Sequence, residues 1–161
     1  LKIAIEKNHI AGAALDVFPD EPATQGDHFN LPLQNFNNVI LTPHIGGSTE
    51  EAQINIANYV SEKLVQFVNT GSITGSVNFP QINLPRIAGT HRILHIHHNV
   101  PGVLAKINSV FARRNINVEG QILQTRGDIG YLIVDVNSEI SAQVLKIMKL
   151  LTETIKVRRI I

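Results

Sequence analysis

Apolar residues recur along the chain in two rhythms, and the rhythm changes near residue 90. Before that point "IAGAALDVF", Ile10 to Phe18, is almost continuously apolar and stops at "PDEP"; "NVILTPH" from Asn38 is a shorter run stopped by Pro43. Runs of this kind predict strands buried on both faces, as in a parallel sheet. Two strands cannot make a stable sheet, so these read as the last strands of a parallel α/β layer. "LKIAIEKN" reads as a helix already under way that ends near Asn8, and residues 19–38, rich in Pro, Asp, Asn and Gln, read as a loop. "GGSTEEAQINIANYVSEKLVQFVNTG" predicts a helix over about 49–69. Ser48 and Glu51 have capping-box spacing, while Ile54, Ala57, Val60, Leu64, Phe67 and Val68 form one stripe. Gly71 stands where a left-handed stop belongs.

Residues 71–89 hold Gly, Pro and Asn in abundance and read as a linker. Beyond them the pattern restarts. "HRILHIHH" predicts a strand, and "VPGVLAKINSVFARRN" a helix with Pro101 near its first turn and an apolar face of Val103, Leu104, Ile107, Val110 and Phe111. "INVEGQILQTR" and "GYLIVDVN" predict two strands joined by a turn around Asp128. "SAQVLKIMKLLTE" predicts a helix with Met148 in the core, and "TIKVRRII" a last strand. The order β-α-β-β-α-β is that of the split βαβ, or ferredoxin-like, plan. The fold class is therefore α/β followed by α+β. The predicted boundaries are 1–46 for the end of a nucleotide-binding domain, 47–88 for a returning helix and linker, and 89–161 for the ferredoxin-like domain.

Composition narrows the functions. A net charge of +1 over 161 residues, with 17% charged, carries no signature of nucleic-acid binding. No apolar run approaches 18 residues, so no membrane-spanning helix is expected. Zero cysteines exclude a disulfide framework and thiolate metal sites, and with no signal-peptide layout a cytoplasmic setting is expected. The chain starts on Leu inside a helical pattern, which suggests the C-terminal part of a longer protein. "RGD" at 126–128 is read as coincidence, and the Arg pairs at 113 and 158 as solvated charges.

His44 draws the chemistry. It follows a strand and a Pro, precedes the Gly46-Gly47 pair, and a helix begins soon after. Strand-end loops of open α/β sheets are where ligands bind, so this His is either a general acid/base or a surface residue in a turn. Glu21 favours the first, because adjacent parallel strands bring both loops to one edge. A carboxylate accepting from the imidazole fixes its tautomer and raises its pKa. His95 and His97, two apart on one strand face, could begin a metal site, but no third ligand is in view and no metal is assigned. Asn99 and the free N–H groups of a helix start near Pro101 form a loop able to hold a carboxylate.

"GAALDVFPDEP" followed by "NVILTPHIGGSTEEAQ" resembles the signature of the NAD-dependent D-2-hydroxyacid dehydrogenases over residues 1 to about 70. The resemblance implies His44 as acid/base, Glu21 as its partner, Asp16 near the nicotinamide, and His44, Ile45, Gly46 and Gly47 approaching NAD through their backbone. The family's G-x-G-x-x-G phosphate loop occurs nowhere in these 161 residues, nor does its substrate-clamping Arg, so this chain alone is expected to be inactive. "HIHHNVPGVL" with "NIN" resembles the ACT domain, a small amino-acid-sensing module, over residues 90–161. It implies an L-serine effector held by His97 and Asn99 of one copy and Asn117 of another, and so a homo-oligomer paired at the "THRILHIHH" strand. His97 and the helix-start N–H groups would take the carboxylate, and the Asn oxygens the ammonium. Together the two resemblances imply a serine-regulated oxidation of 3-phospho-D-glycerate to 3-phosphohydroxypyruvate. The rival readings are an amino-acid-binding module without catalysis, and a related ACT-bearing dehydrogenase.

Overall fold

The computed structural model describes residues 1–22, 29–137 and 142–160. The chain divides into two compact units, Leu1–Tyr59 and Val60–Ile161. Residues 71–88, expected as a linker, therefore belong to the second unit.

The first unit holds α1 (Lys2–Glu6), β1 (Ala13–Leu15) and β2 (Val39–Leu41). β1 and β2 are parallel, with Ala13 opposite Val39 and Leu15 opposite Leu41. The strand expected over Ile10–Phe18 is thus only three residues long. Nor is it buried on both faces: Ala14 is exposed, and Ile40 of β2 is 66% exposed. An apolar run reports what a segment can bury, and among the described residues of this unit only Ile5 and Leu33 are buried. Gly12 permits the close approach of the strands, since a Cβ there would lie 2.4 Å from Asn38 O. What the pairing does fix is the strand ends. Leu15 O accepts from Thr42 N–H at 3.0 Å, so Asp16 and Thr42 stand side by side.

α2 (Glu50–Thr70) follows. Its cap is Thr49, whose Oγ1 accepts from Ala52 N–H at 3.1 Å, and not Ser48 as the capping-box spacing suggested. Gly71 ends it at φ +73, with its N–H on Phe67 O. α2 has no buried residue, and the stripe members Ile54, Val60, Leu64 and Val68 are exposed.

The second unit carries β3 (His91–His98), α3 (Val103–Ala112), β4 (Val118–Arg126), β5 (Ile129–Val136), α4 (Ala142–Leu150) and β6 (Thr154–Ile160). This is the expected β-α-β-β-α-β order; Ser141 and Ile161, the expected ends of two elements, lie outside the described residues. The sheet runs β4-β5-β3-β6 and every pairing is antiparallel. One face packs Ile93, Leu132, Val134 and Val157 against Ile107, Phe111, Val144 and Met148 of the helices. The other face gathers Leu94, Tyr131, Ile133 and Ile160 under Ile73, Phe79, Ile82 and Leu84. β3, expected to offer an edge to a second copy, lies inside the sheet. The open edges are β4 and β6, because β-α-β-β-α-β winding places the first strand centrally.

Polar anchors tie the end of α2 to this sheet. Arg92 and Asp135, both fully buried, form a two-pronged pair with both N···O distances 2.6 Å. Arg92 also donates to Thr70 O, Leu84 O and Pro85 O. Tyr131 Oη donates to Gly71 O at 2.6 Å. Arg158, expected to be solvated, instead donates to Phe67 O and Val68 O and lies over the Phe67 ring. The carbonyls left open at the end of a helix need donors, and these three side chains supply them.

Candidate functional site

At the paired ends of β1 and β2 three side chains converge. His44 Nδ1 lies 2.6 Å from Glu21 Oε2. The other oxygen of Glu21 accepts from Phe18 N–H at 2.8 Å, a turn three residues long that aims the carboxylate. Asp16 is aimed too: its Oδ1 accepts from Thr42 Oγ1 at 2.6 Å and from Ile45 N–H at 2.9 Å, and its Oδ2 accepts from Gly46 N–H at 2.8 Å. The loop so gripped holds His44 at φ +53, a left-handed conformation that costs a non-glycine residue energy and needs such support.

The electrostatics follow from these contacts. The Glu21 hydrogen bond and charge raise the His44 pKa above the ordinary value, with Asp16 adding a little. His44, and then Phe18 N–H, lower that of Glu21. Thr42, Gly46 and Ile45 lower that of Asp16. With Nδ1–H committed to Glu21, the exposed His44 ring presents Nε2 outward. That arrangement can take up a proton, hold it as an imidazolium, and return it.

The second set of expected residues sits at one end of the ferredoxin-like sheet, except for Asn117. His97 is 2% exposed. Asn99 is exposed, its N–H on Asp128 O and its Nδ2 on Gly127 O, so its Oδ1 is left for other partners. Asn117 precedes β4 at the opposite end of the sheet and donates to Glu119 Oε1. Within one chain the three do not meet. The sequence did not single out Thr42 or Thr154, the latter bound to His95 at 2.8 Å. For Thr42 the signal was its place beside Asp16 in parallel strands; for Thr154, 59 residues away, there was none.

Both arrangements fall in stretches that are similar to known families. Residues 1–46 match the NAD binding domain of the D-isomer specific 2-hydroxyacid dehydrogenases, and residues 93–156 match an ACT domain of the AHAS small subunit-like kind. Over 96% of its length the chain is similar to D-3-phosphoglycerate dehydrogenases: 46% identical to that of Escherichia coli and 51% to that of Dictyostelium discoideum. It spans 38% of the length of those relatives. The ACT domain of the GTP pyrophosphokinase of Chlorobium tepidum superposes on 44% of this chain and 96% of its own at a TM-score of 0.40 and 12% identity.

His44–Gly46, within the stretch matched to an NAD binding domain, and Gly47 just after it lie at the strand ends and could edge a nicotinamide site, and the N–H groups of Ile45 and Gly46 are taken by Asp16. A loop for the pyrophosphate, G-x-G-x-x-G, is not part of these 161 residues.

Proposed function

We propose that the chain is part of an NAD-dependent dehydrogenase that oxidises 3-phospho-D-glycerate to 3-phosphohydroxypyruvate under feedback by L-serine, in the cytoplasm. The observation that carries this reading is the 2.6 Å contact between His44 Nδ1 and Glu21 Oε2 at the ends of two parallel strands. His44 Nε2 would take the C2 hydroxyl proton, Glu21 would stabilise the resulting imidazolium, and bound NAD would supply the hydride acceptor. Asp16 keeps the loop, and with it the ring, in register.

In the full-length parent, His44→Gln should lower kcat by about 10²–10⁴-fold, the usual share of a general base, with little change in KM for NAD. Unchanged kcat would remove His44 from this role. The 161-residue chain itself should form no NADH.

The effector reading rests on Asn99, Asn117 and the open β4 edge. Two β4 strands related by a two-fold axis run antiparallel. Asn117 of one copy then lies beside Arg126–Gly127 of the other, where Asn99 is anchored. A second reading, an amino-acid-binding module without chemistry, is favoured by the distribution of the core. Among the described residues, the buried apolar side chains apart from Ile5 and Leu33 all belong to residues 80–160. Turnover by the parent separates the two.

A further inference from the structure

The helix-facing side of β3 carries two histidines that the acid/base chemistry leaves unused. His95 and His97 are 0% and 2% exposed, and their Nδ1 atoms are 3.1 Å apart. Two ring nitrogens at that distance share one proton: two lone pairs repel, and two N–H groups collide. The far side of His95 decides which ring owns it. His95 Nε2 lies 2.8 Å from Thr154 Oγ1, and Thr154 Oγ1 lies 2.7 Å from Met148 O. A carbonyl only accepts, so the single hydroxyl hydrogen of Thr154 goes to Met148 O. Thr154 Oγ1 must then accept from His95 Nε2–H. His95 Nδ1 is bare, and the proton between the rings belongs to His97.

Both rings are neutral at working pH. Burial, and then the neighbouring His97, press His95 down to about 4. Burial, more than the neighbouring His98, lowers His97. A neutral His97 with its proton on Nδ1 has a bare Nε2. That atom lies over Gly130, where a Cβ would come within 2.3 Å of it. Among the described residues Glu153 Oε2 is the sole fully buried side-chain polar atom without a partner, and Nε2 makes no hydrogen bond to them, so it reaches the surface, two residues before Asn99.

We propose that Met148 O, Thr154 and His95 form a relay that fixes His97 as a hydrogen-bond acceptor, so that the effector group received there is a donor, an ammonium or hydroxyl, and not the carboxylate. This rests on the effector reading above, and reverses the expectation that His97 helps to hold the carboxylate. Thr154 and His95 are positioning residues for that specificity.

The test uses the 161-residue chain labelled with ¹⁵N-histidine. Two-bond ¹H–¹⁵N correlations near neutral pH should show His97 as the Nδ1–H tautomer and His95 as the Nε2–H tautomer, without ligand. Thr154→Val keeps the shape and removes the hydroxyl. It should release that pattern and weaken L-serine binding by about tenfold, the scale of one lost hydrogen bond, while Thr154→Ser keeps both. An Nε2–H tautomer at His97, or equal L-serine affinity in Thr154→Val, overturns the relay. The expected tautomers with no L-serine binding at all overturn the effector reading, and the donor assignment with it.

Discussion

His44 shows what one residue needs from its surroundings. An imidazole on a flexible loop would titrate near its ordinary value and point anywhere. Here Glu21 holds Nδ1, Phe18 N–H holds Glu21, and Asp16 holds the backbone on the C-terminal side of His44. The pH dependence follows with a definite sign. His44 is raised in the folded state, so its contribution to stability is complete below about 6.5, the ordinary value, and is lost as pH rises through the raised one. Glu21 is lowered, so its contribution is complete above about 4.5 and is lost as pH falls through the depressed value. The pair therefore acts fully between those limits. Glu21→Gln should bring the His44 titration, followed by NMR, back down toward 6.5. In the parent the base must be neutral to accept a proton, so the same variant should move the acid limb of the oxidation profile to lower pH. A limb that stays in place would break the link between Glu21 and His44. Sequence reasoning reached this pair because two apolar runs, each followed by a polar punctuation, dictate parallel strand ends at one edge. It assigned Asp16 to the cofactor and did not foresee that both of its oxygens serve the loop.

Elements behave differently from single residues, because strand pairing creates contacts that no local pattern announces. Gly130 reads in the sequence only as the start of "GYLIVDVN", yet it pairs with His97 and leaves the space that the imidazole fills. Gly130→Ala should cost about 1–3 kcal/mol of stability in urea denaturation, the range for overpacking a closed site. A neutral result would mean that His97 has another rotamer to go to. Arg92 and Asp135, 43 residues apart and not singled out in the sequence, are fully buried together. Removing one partner strands a buried charge, so Arg92→Met should cost roughly 3–5 kcal/mol, and Arg92→Met with Asp135→Leu distinctly less. Equal costs for the single and double variants would show that the carbonyl bonds to Thr70, Leu84 and Pro85, and not the ion pair, set the penalty. The amphipathic stripe of α2 was legible, but a stripe states a need for burial without naming what meets it. Among the described residues, Phe67, Val68 and Thr70 in the last turn of that helix accept from Arg158 and Arg92 of the sheet.

At the scale of the whole molecule the ferredoxin-like plan was legible because its helix and strand periods alternate cleanly over residues 91–160. The order of strands across the sheet was not, and it decides where a second copy can attach. With β3 enclosed by β5 and β6, pairing falls to β4 or β6. β4 is the edge that carries Asn117 at its start, and the bulge between Val118 and Gly120 sets Glu119 apart there. A bulge limits indiscriminate edge pairing, so a ligand that spans the two copies gains leverage over assembly. On the proposed reading, L-serine would bridge Asn99 of one copy and Asn117 of the other, and so would bind the pair and not the single chain. Mass action then requires it to stabilise the pair, by about 2.7 kcal/mol at a hundredfold excess over Kd. L-serine should raise the melting temperature and the dimer fraction of the chain, measured by scanning calorimetry and sedimentation, and D-serine should do so far less. Asn99→Ala and Asn117→Ala should each remove most of the shift, and mixing the two variants should restore part of it, since a mixed dimer keeps one intact site. Two inactive variants that fail to complement would rule out a site shared across the β4 pairing.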